Sequence, residues 1–117
     1  MSDSKLRSLS TDFAVNILKM CDMINGHYSL KNQIERSATS IGANIHEANY
    51  AHSRADFISK LQIALKECYE TEYWLELLLK AEIINKETIN DLYNCCGKIR
   101  RLLVASINTA KKNKEQA

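Results

Sequence analysis

The chain has 117 residues, of which 45% are hydrophobic and 26% charged, and its formal net charge at pH 7 is +2. This length suits a single domain over residues 1–117, and the balanced composition excludes a disordered or fibrous class. Because there is no Pro and only three Gly, the chain can form long uninterrupted helices.

The first half of the chain predicts two helices, over residues 4–25 and 30–51. Apolar residues recur in both at steps of three and four, which is the spacing of one helix face. Gly26 supplies a stop for the first helix. Ser29 can cap the second helix, whose isoleucine stripe includes Ile34, Ile41 and Ile45.

The second half predicts two more helices, over residues 54–83 and 86–111. Ser53 and Asp56 resemble a capping box at the start of the third helix, and Asn85 can cap the fourth. No strand pattern is present. Four amphipathic segments with short connections predict an all-α fold, an up-down-up-down antiparallel four-helix bundle.

The first residues alternate charged and apolar side chains, and no apolar run is long enough to span a membrane. We therefore expect a cytoplasmic protein with no membrane partner. The four cysteines form no C-x-x-C pair, so we expect thiols that pack as small apolar groups. They are Cys21, Cys68, Cys95 and Cys96.

His46 and Glu47 are a dipeptide found in zinc-binding helices, where a second His follows one turn later. The next histidine here is His52, six residues on. On a continuous helix six steps of ~100° place it about 240° away, so the two could not bind one ion. The Glu-x-x-His pairs of di-iron bundles are also missing. We therefore predict no metal and no cofactor.

Two polar residues fall on faces predicted to be buried. Glu72 lies inside the apolar arc of the third helix, where a carboxylate needs a partner, and Arg36 is the first candidate in a tight antiparallel hairpin. A catalytic carboxylate would look similar, but no accompanying acid or nucleophile is evident, so we prefer a structural pair and expect no small-molecule substrate. Asn44, next to Ser37 and Ser40, is interpreted as fixing helix register rather than binding a ligand.

Segment 73–81 spreads apolar residues around nearly the whole helix, which is typical of a helix buried on more than one side. The face of the second helix opposite its isoleucines is rich in small residues that would let another backbone approach. Both patterns predict a homo-oligomer. The candidate contacts between subunits are Gly42, Ala43, His46, Tyr50, Tyr73 and Trp74.

Positive charge is concentrated at the end of the chain, where residues 85–117 sum to +4. Such a run is usually a solvated face. The alternative is a nucleic-acid surface, since an oligomer would multiply the charge into a field that attracts phosphates. The candidate contacts with RNA or DNA are Lys98, Arg100, Arg101, Lys111, Lys112 and Lys114.

Several runs closely resemble the small bacterial four-helix bundle protein family, which includes proteins encoded in intervening sequences of large-subunit ribosomal RNA genes. They are S-I-G-A-N-I-x-E-A at 40–48, A-x-S-x-x-D-F at 51–57, K-L-x-I-A-L-K-E at 60–67 and ETEYWLEL at 70–77, and His46 occupies a variable position. The resemblance implies an antiparallel bundle that assembles into a ring, typically a homopentamer, without established enzymatic activity. Asn44, Glu47, Glu70 and Glu72 match recurrent family positions, which implies architectural roles.

The fold is also similar to that of accessory variability proteins of diversity-generating retroelements, which are strongly basic adaptors. Two hypotheses follow for this nearly neutral chain. The first is a non-enzymatic, ring-forming assembly protein that offers a surface to RNA or to a protein. The second is a basic nucleic-acid-binding adaptor acting with a protein partner. An enzyme using Glu70 or Glu72 would require a pocket with convergent polar groups.

Overall fold

The computed structural model describes residues 2–116, with side chains over residues 5–113. It contains four helices: α1 (Ser2–Cys21), α2 (Tyr28–Ala48), α3 (Arg54–Lys80) and α4 (Lys86–Gln116). There is no strand between residues 2 and 116. The last helix is longer than predicted, because it continues past residue 111 through the Lys-rich end of the chain.

Each helix packs against its neighbours in the chain, and α1 also packs against α4. The diagonal pairs, α1 with α3 and α2 with α4, make no contact in the described range. The helices therefore stand at the corners of a square, in a body of 51 × 21 × 19 Å. The predicted all-α, up-down-up-down antiparallel four-helix bundle is confirmed.

The core is built from the apolar stripes of all four helices. Ile17 of α1, Ile34 of α2, Leu75 of α3 and Leu103 of α4 are each 0% exposed. Within each helix the buried apolar residues recur at steps of mostly three and four, which places them on one face, so that folding buries all four faces together. None of the described helices is both long and apolar enough to cross a membrane.

The helix ends show where local sequence signals were sufficient. Ser53 Oγ accepts a hydrogen bond from the Asp56 N–H (3.1 Å), and Asn85 Oδ1 accepts one from the Thr88 N–H (2.8 Å), as predicted. Ser29 lies inside α2 instead of capping it, and His27, with φ 53°, occupies the capping position without a side-chain hydrogen bond.

The turn between α1 and α2 explains that difference. Gly26 has φ +71° and His27 follows it in the left-handed region as well. Two successive left-handed residues reverse the chain sharply, and Gly is the residue that adopts this conformation without strain. The helix consequently starts earlier than a serine cap would allow.

Candidate functional site

Glu72 is the buried carboxylate of the bundle, with 7% of its surface exposed. Its Oε2 accepts a hydrogen bond from Arg100 Nε at 3.1 Å, forming an ion pair between α3 and α4. The predicted partner, Arg36, is wrong. Glu72 faces α4, whereas Arg36 belongs to α2, on another side of α3.

Arg36 pairs instead with Glu70, whose Oε2 lies 3.0 Å from Arg36 Nη2. The same oxygen accepts a hydrogen bond from Trp74 Nε1 at 3.2 Å. Trp74 is partly buried against the core, and Tyr73 contacts it edge-on at 5.0 Å. Trp74 is therefore held within the subunit, while Tyr73 keeps 56% of its surface exposed.

Asn44 Nδ2 donates to the Ser40 carbonyl of the same helix (2.8 Å), so its register role stays a prediction. The polar contact that joins α2 to α3 in the core is made by two hydroxyls. Thr71 Oγ1 lies 2.9 Å from Ser37 Oγ, and both residues are 0% exposed. At the surface, Glu47 Oε1 pairs with Lys60 Nζ across the same two helices at 3.4 Å.

Gly42 contacts α1 rather than a surface available to another subunit. A Cβ added at Gly42 would lie 3.4 Å from Ser10 Oγ, and Ser10 is 0% exposed. The glycine thus permits close packing of α1 and α2 within one subunit, which corrects its predicted role. Ala43 and His46 are exposed, and His46 packs edge-on against Tyr50 at 5.4 Å.

His46 and His52 line the same surface pocket of about 410 Å³. The angular argument against their meeting fails, because α2 ends at Ala48 and the chain turns back before His52. Even so, no three His, Cys, Asp or Glu side chains of residues 5–113 are placed to hold a metal ion. The pocket's remaining lining residues are Glu47, Tyr50, Asp56 and Lys60.

The cysteines are free thiols, three of them buried. Cys96 Sγ donates to the Cys68 carbonyl at 3.6 Å. Its interaction with Cys68, together with burial, raises the pKa of the Cys96 thiol, and burial raises the pKa of Cys21 to about 11. Both thiols are protonated at neutral pH, which suits apolar core groups rather than nucleophiles.

The predicted basic residues divide into one structural and several solvent-facing cations. Arg100 binds Glu72 and also lies over the Tyr69 ring, 5.7 Å from its centre. Four cations on α4 are exposed and have no carboxylate within 4.0 Å among the side chains that the structure describes. These cations are Lys98, Arg101, Lys111 and Lys112. The Lys114 side chain lies outside the described residues.

Sequence reasoning assigned no role to Gly97, Tyr69 or Glu67. Gly97 lies under two guanidinium groups, with Arg101 Nη1 and Arg100 Nη2 only 3.3 and 3.5 Å from the position its Cβ would take. Gly inside a helix costs about 1 kcal/mol, so its central position in the fourth helix was an available signal.

Glu67 also had no predicted role, and its carboxylate lies in an unusual environment. Its Oε2 is buried and has no hydrogen-bond partner among the described residues. Burial, followed by the charge of Glu70, raises the pKa of the Glu67 carboxyl. This position is a local weakness in the α2–α3 packing.

A family model described as 23S rRNA-intervening sequence protein matches residues 2–105. The chain is also similar to the crystal structure, at 1.70 Å resolution, of a protein of unknown function from the S23 ribosomal protein family of Bacteroides thetaiotaomicron. The two chains are 46% identical, with a TM-score of 0.87, and the match covers 92% of this chain and 99% of the other. No curated protein matches the sequence. Because the family model spans most of its length, the chain belongs to the 23S rRNA-intervening sequence protein family.

Proposed function

We propose that this chain is a non-catalytic, cytoplasmic assembly protein whose copies associate head to tail into a ring. The main observation in favour of this proposal is that two diagonally opposite helices each have an exposed apolar face. Val15 and Leu18 on α1 are each 42% exposed, and on α3 Tyr73 is 56% and Leu77 38% exposed. We call these the α1 face and the α3 face.

Their placement favours head-to-tail contact. Because α1 and α3 occupy opposite corners of the square, the two faces point away from each other. A subunit with two different apolar contact faces on opposite sides can bind one neighbour through each face. Such contacts close a ring or extend a filament. The family resemblance supports the ring and a subunit number of five.

Charge around the two faces differs and supports a second copy as the occupant. On the α1 face, Asp12 and Asp22 outnumber Lys19 among the exposed charges next to Val15 and Leu18. On the α3 face, Lys80 pairs with Glu76 at 3.5 Å, so these two charges balance. Because the α1 face is the more acidic of the two, two α1 faces repel each other, which favours heterologous pairing.

Light scattering of the wild type and of two variants tests the proposal. The wild type is expected at a multiple of the 13.3 kDa chain mass, five-fold for the proposed ring. Val15→Glu and Tyr73→Glu place a charge in one face each, so each variant alone should be monomeric. Their equimolar mixture should give a dimer, because each variant retains the face that the other has lost.

Tyr28→Glu is the matched control, since Tyr28 is 74% exposed and lies on α2. This variant should keep the wild-type mass. A monomeric wild type would contradict self-association. A mixture that stays monomeric, although the wild type is oligomeric, would contradict the head-to-tail arrangement.

A second candidate function is that of a nucleic-acid-binding adaptor acting with a protein partner. The observation in its favour is the group of exposed cations on α4 that have no carboxylate neighbour among the described side chains. The family description names 23S rRNA and the Bacteroides relative is assigned to a ribosomal protein family. RNA or ribosome association is the form of this function that those relatives favour.

A further inference from the structure

We propose that Tyr69 of α3 and the outer face of α4 from Lys98 to Lys112 form a binding track for single-stranded nucleic acid. Arg101 and Arg100 contact a phosphate and the Tyr69 ring stacks on a base. This inference rests on the second candidate function, nucleic-acid binding, and specifies where and in what form the nucleic acid is bound.

Gly97 is buried beneath the arginine cluster at one end of the track. Nη1 of Arg101 and Nη2 of Arg100 both lie within 3.5 Å of the point where a Gly97 Cβ would be, and Glu72 Oε2 lies 4.0 Å from it. The absent side chain therefore leaves room for two guanidinium groups side by side. One carboxylate, Glu72, faces two cations, so the cluster retains one positive charge for an external anion.

The two arginines have different tasks in this cluster. Arg100 is held by Glu72 and is only partly exposed, with a side-chain exposure of 29%. Arg101 is exposed and forms no ion pair within the described side chains. Arg101 is thus the group that an incoming phosphate meets first, while Arg100 presents its remaining N–H groups from a fixed position.

Tyr69 supplies the aromatic surface. Its ring is 54% exposed and lies beside the arginine cluster, with the Arg100 guanidinium carbon 5.7 Å from the ring centre. Tyr69 lies on the α4 side of α3. A tyrosine exposed next to a phosphate-binding cation is the pairing that single-strand-binding proteins use, since any base offers a face for stacking.

The track continues along α4 beyond the cluster. Lys98, Arg101, Ala105, Asn108 and Lys112 follow one another at steps of three and four, and all five are exposed. These steps place them on one face of the helix. From Lys98 to Lys112 the helix rises about 21 Å, which is enough for several successive phosphates, and no acidic residue interrupts this segment.

A single strand suits this surface better than a duplex. Bases in a duplex are already stacked on one another, so Tyr69 could reach one only by disrupting the pairing. The track also runs along one helix rather than across a broad basic surface. Because α4 lies at a different corner from α1 and α3, its exposed cations lie outside the two faces of the proposed ring. Tyr69 is one helical turn from Tyr73 and lies at the edge of the α3 face.

Fluorescence anisotropy with a labelled 12-nucleotide RNA tests the inference, using unlabelled RNA, DNA and duplex of the same length as competitors. At about 50 mM salt the wild type should bind the single strand, with about ten-fold weaker binding to the duplex. Arg101→Ala should weaken binding about ten-fold and lower the salt slope by about 0.7. Tyr69→Leu should weaken it five-fold or more without changing that slope.

Arg7→Ala and Tyr28→Leu are matched controls on exposed positions of α1 and α2, and both should bind like the wild type. Circular dichroism melts identify any variant that fails to fold, in which case Lys112→Ala replaces it. No binding by the wild type at low salt would overturn both this inference and the second candidate function.

Other outcomes overturn the track alone. If the wild type binds but Arg101→Ala and Tyr69→Leu bind no more weakly than their controls, nucleic acid is held elsewhere. Equal competition by the duplex, or by poly-glutamate at the same charge concentration, would show a general polyanion surface without base stacking.

Discussion

α3 makes a buried polar contact with each of two neighbouring helices, and the two contacts differ in charge, although partly exposed ion pairs also join α2 to α3. Its buried polar contact with α2 joins two neutral hydroxyls, those of Ser37 and Thr71, at 2.9 Å. Its contact with α4 is the ion pair of Glu72 and Arg100 at 3.1 Å. Two buried polar residues of the same helix therefore have different kinds of partner: Thr71 has a neutral one and Glu72 a charged one.

This difference in charge determines how much stability each seam loses when one partner of its polar contact is removed. A hydroxyl left alone in the core loses about 1–3 kcal/mol of solvation at most. A carboxylate left alone costs more, because an unpaired charge in an apolar surrounding has no compensating interaction. The α3–α4 seam should therefore be the more sensitive of the two to single substitutions.

Arg100→Ala tests this comparison with the largest expected effect. It leaves Glu72, whose side chain is 9% exposed, without its partner, so we expect a loss of about 3 kcal/mol in the free energy of unfolding by urea denaturation. Glu72→Ala should cost less, since the freed Arg100 side chain, 29% exposed, can turn toward solvent.

The neighbouring Arg101→Ala is the control and should stay within about 0.5 kcal/mol of the wild type, because Arg101 is exposed and forms no ion pair with a described side chain. For binding to the proposed nucleic-acid track the order of the two arginines is reversed, because Arg101 is the residue that an incoming phosphate meets first. An Arg100→Ala protein as stable as the wild type would show that the ion pair does not secure the seam.

Thr71→Val tests the neutral seam. It removes the hydroxyl while keeping the shape of the side chain, and we expect a loss of about 1 kcal/mol, measured in the same denaturation experiment. In this variant the Ser37 hydroxyl keeps only its hydrogen bond to the Ile34 carbonyl (3.3 Å), so removing it as well, by Ser37→Ala, should cost little more. Thr39→Val on exposed α2 surface should have almost no effect; a similar loss there would contradict the assignment to the buried pair.

The sequence was sufficient to predict the fold and the inward position of Glu72, because both depend on the helical period alone. The partner of Glu72 could not be predicted in the same way. Positions 70 and 72 are about 200° apart on a helix, so one faces α2 and the other α4, but which one depends on how the whole helix is rotated. That rotation is set by packing, and it pairs Glu70 with Arg36.

Small residues show the same limit. Gly42 and Gly97 are visible in the sequence as unfavourable choices within helices, but the sequence does not say what approaches them. At Gly42 the neighbour is Ser10 of α1, and at Gly97 it is a pair of arginine side chains from the same helix. A missing Cβ predicts a close contact, and only the packed structure identifies which contact it is.

Glu67→Gln should increase the stability of the protein at the α2–α3 seam. The expected change is smaller than those of Arg100→Ala and Thr71→Val. Burial raises the pKa of Glu67 above its unfolded value, so the folded state favours the protonated carboxyl. The stability that the Glu67 carboxyl contributes is then fully present below its unfolded pKa and is lost as the pH rises through the folded pKa. Gln carries no charge at either pH and escapes this loss.

Thermal melts at pH 7 and pH 4 measure the difference. At pH 7 the Glu67→Gln protein should be more stable than the wild type by up to about 1 kcal/mol, and near pH 4 the two should be equal, because the wild-type carboxyl is then protonated. Glu76→Gln on the exposed side of α3 should give no such gain. A Glu67→Gln protein less stable than the wild type at pH 7 would mean that the ionised carboxylate has a favourable partner, and the buried part of the α2–α3 seam would then also depend on charge.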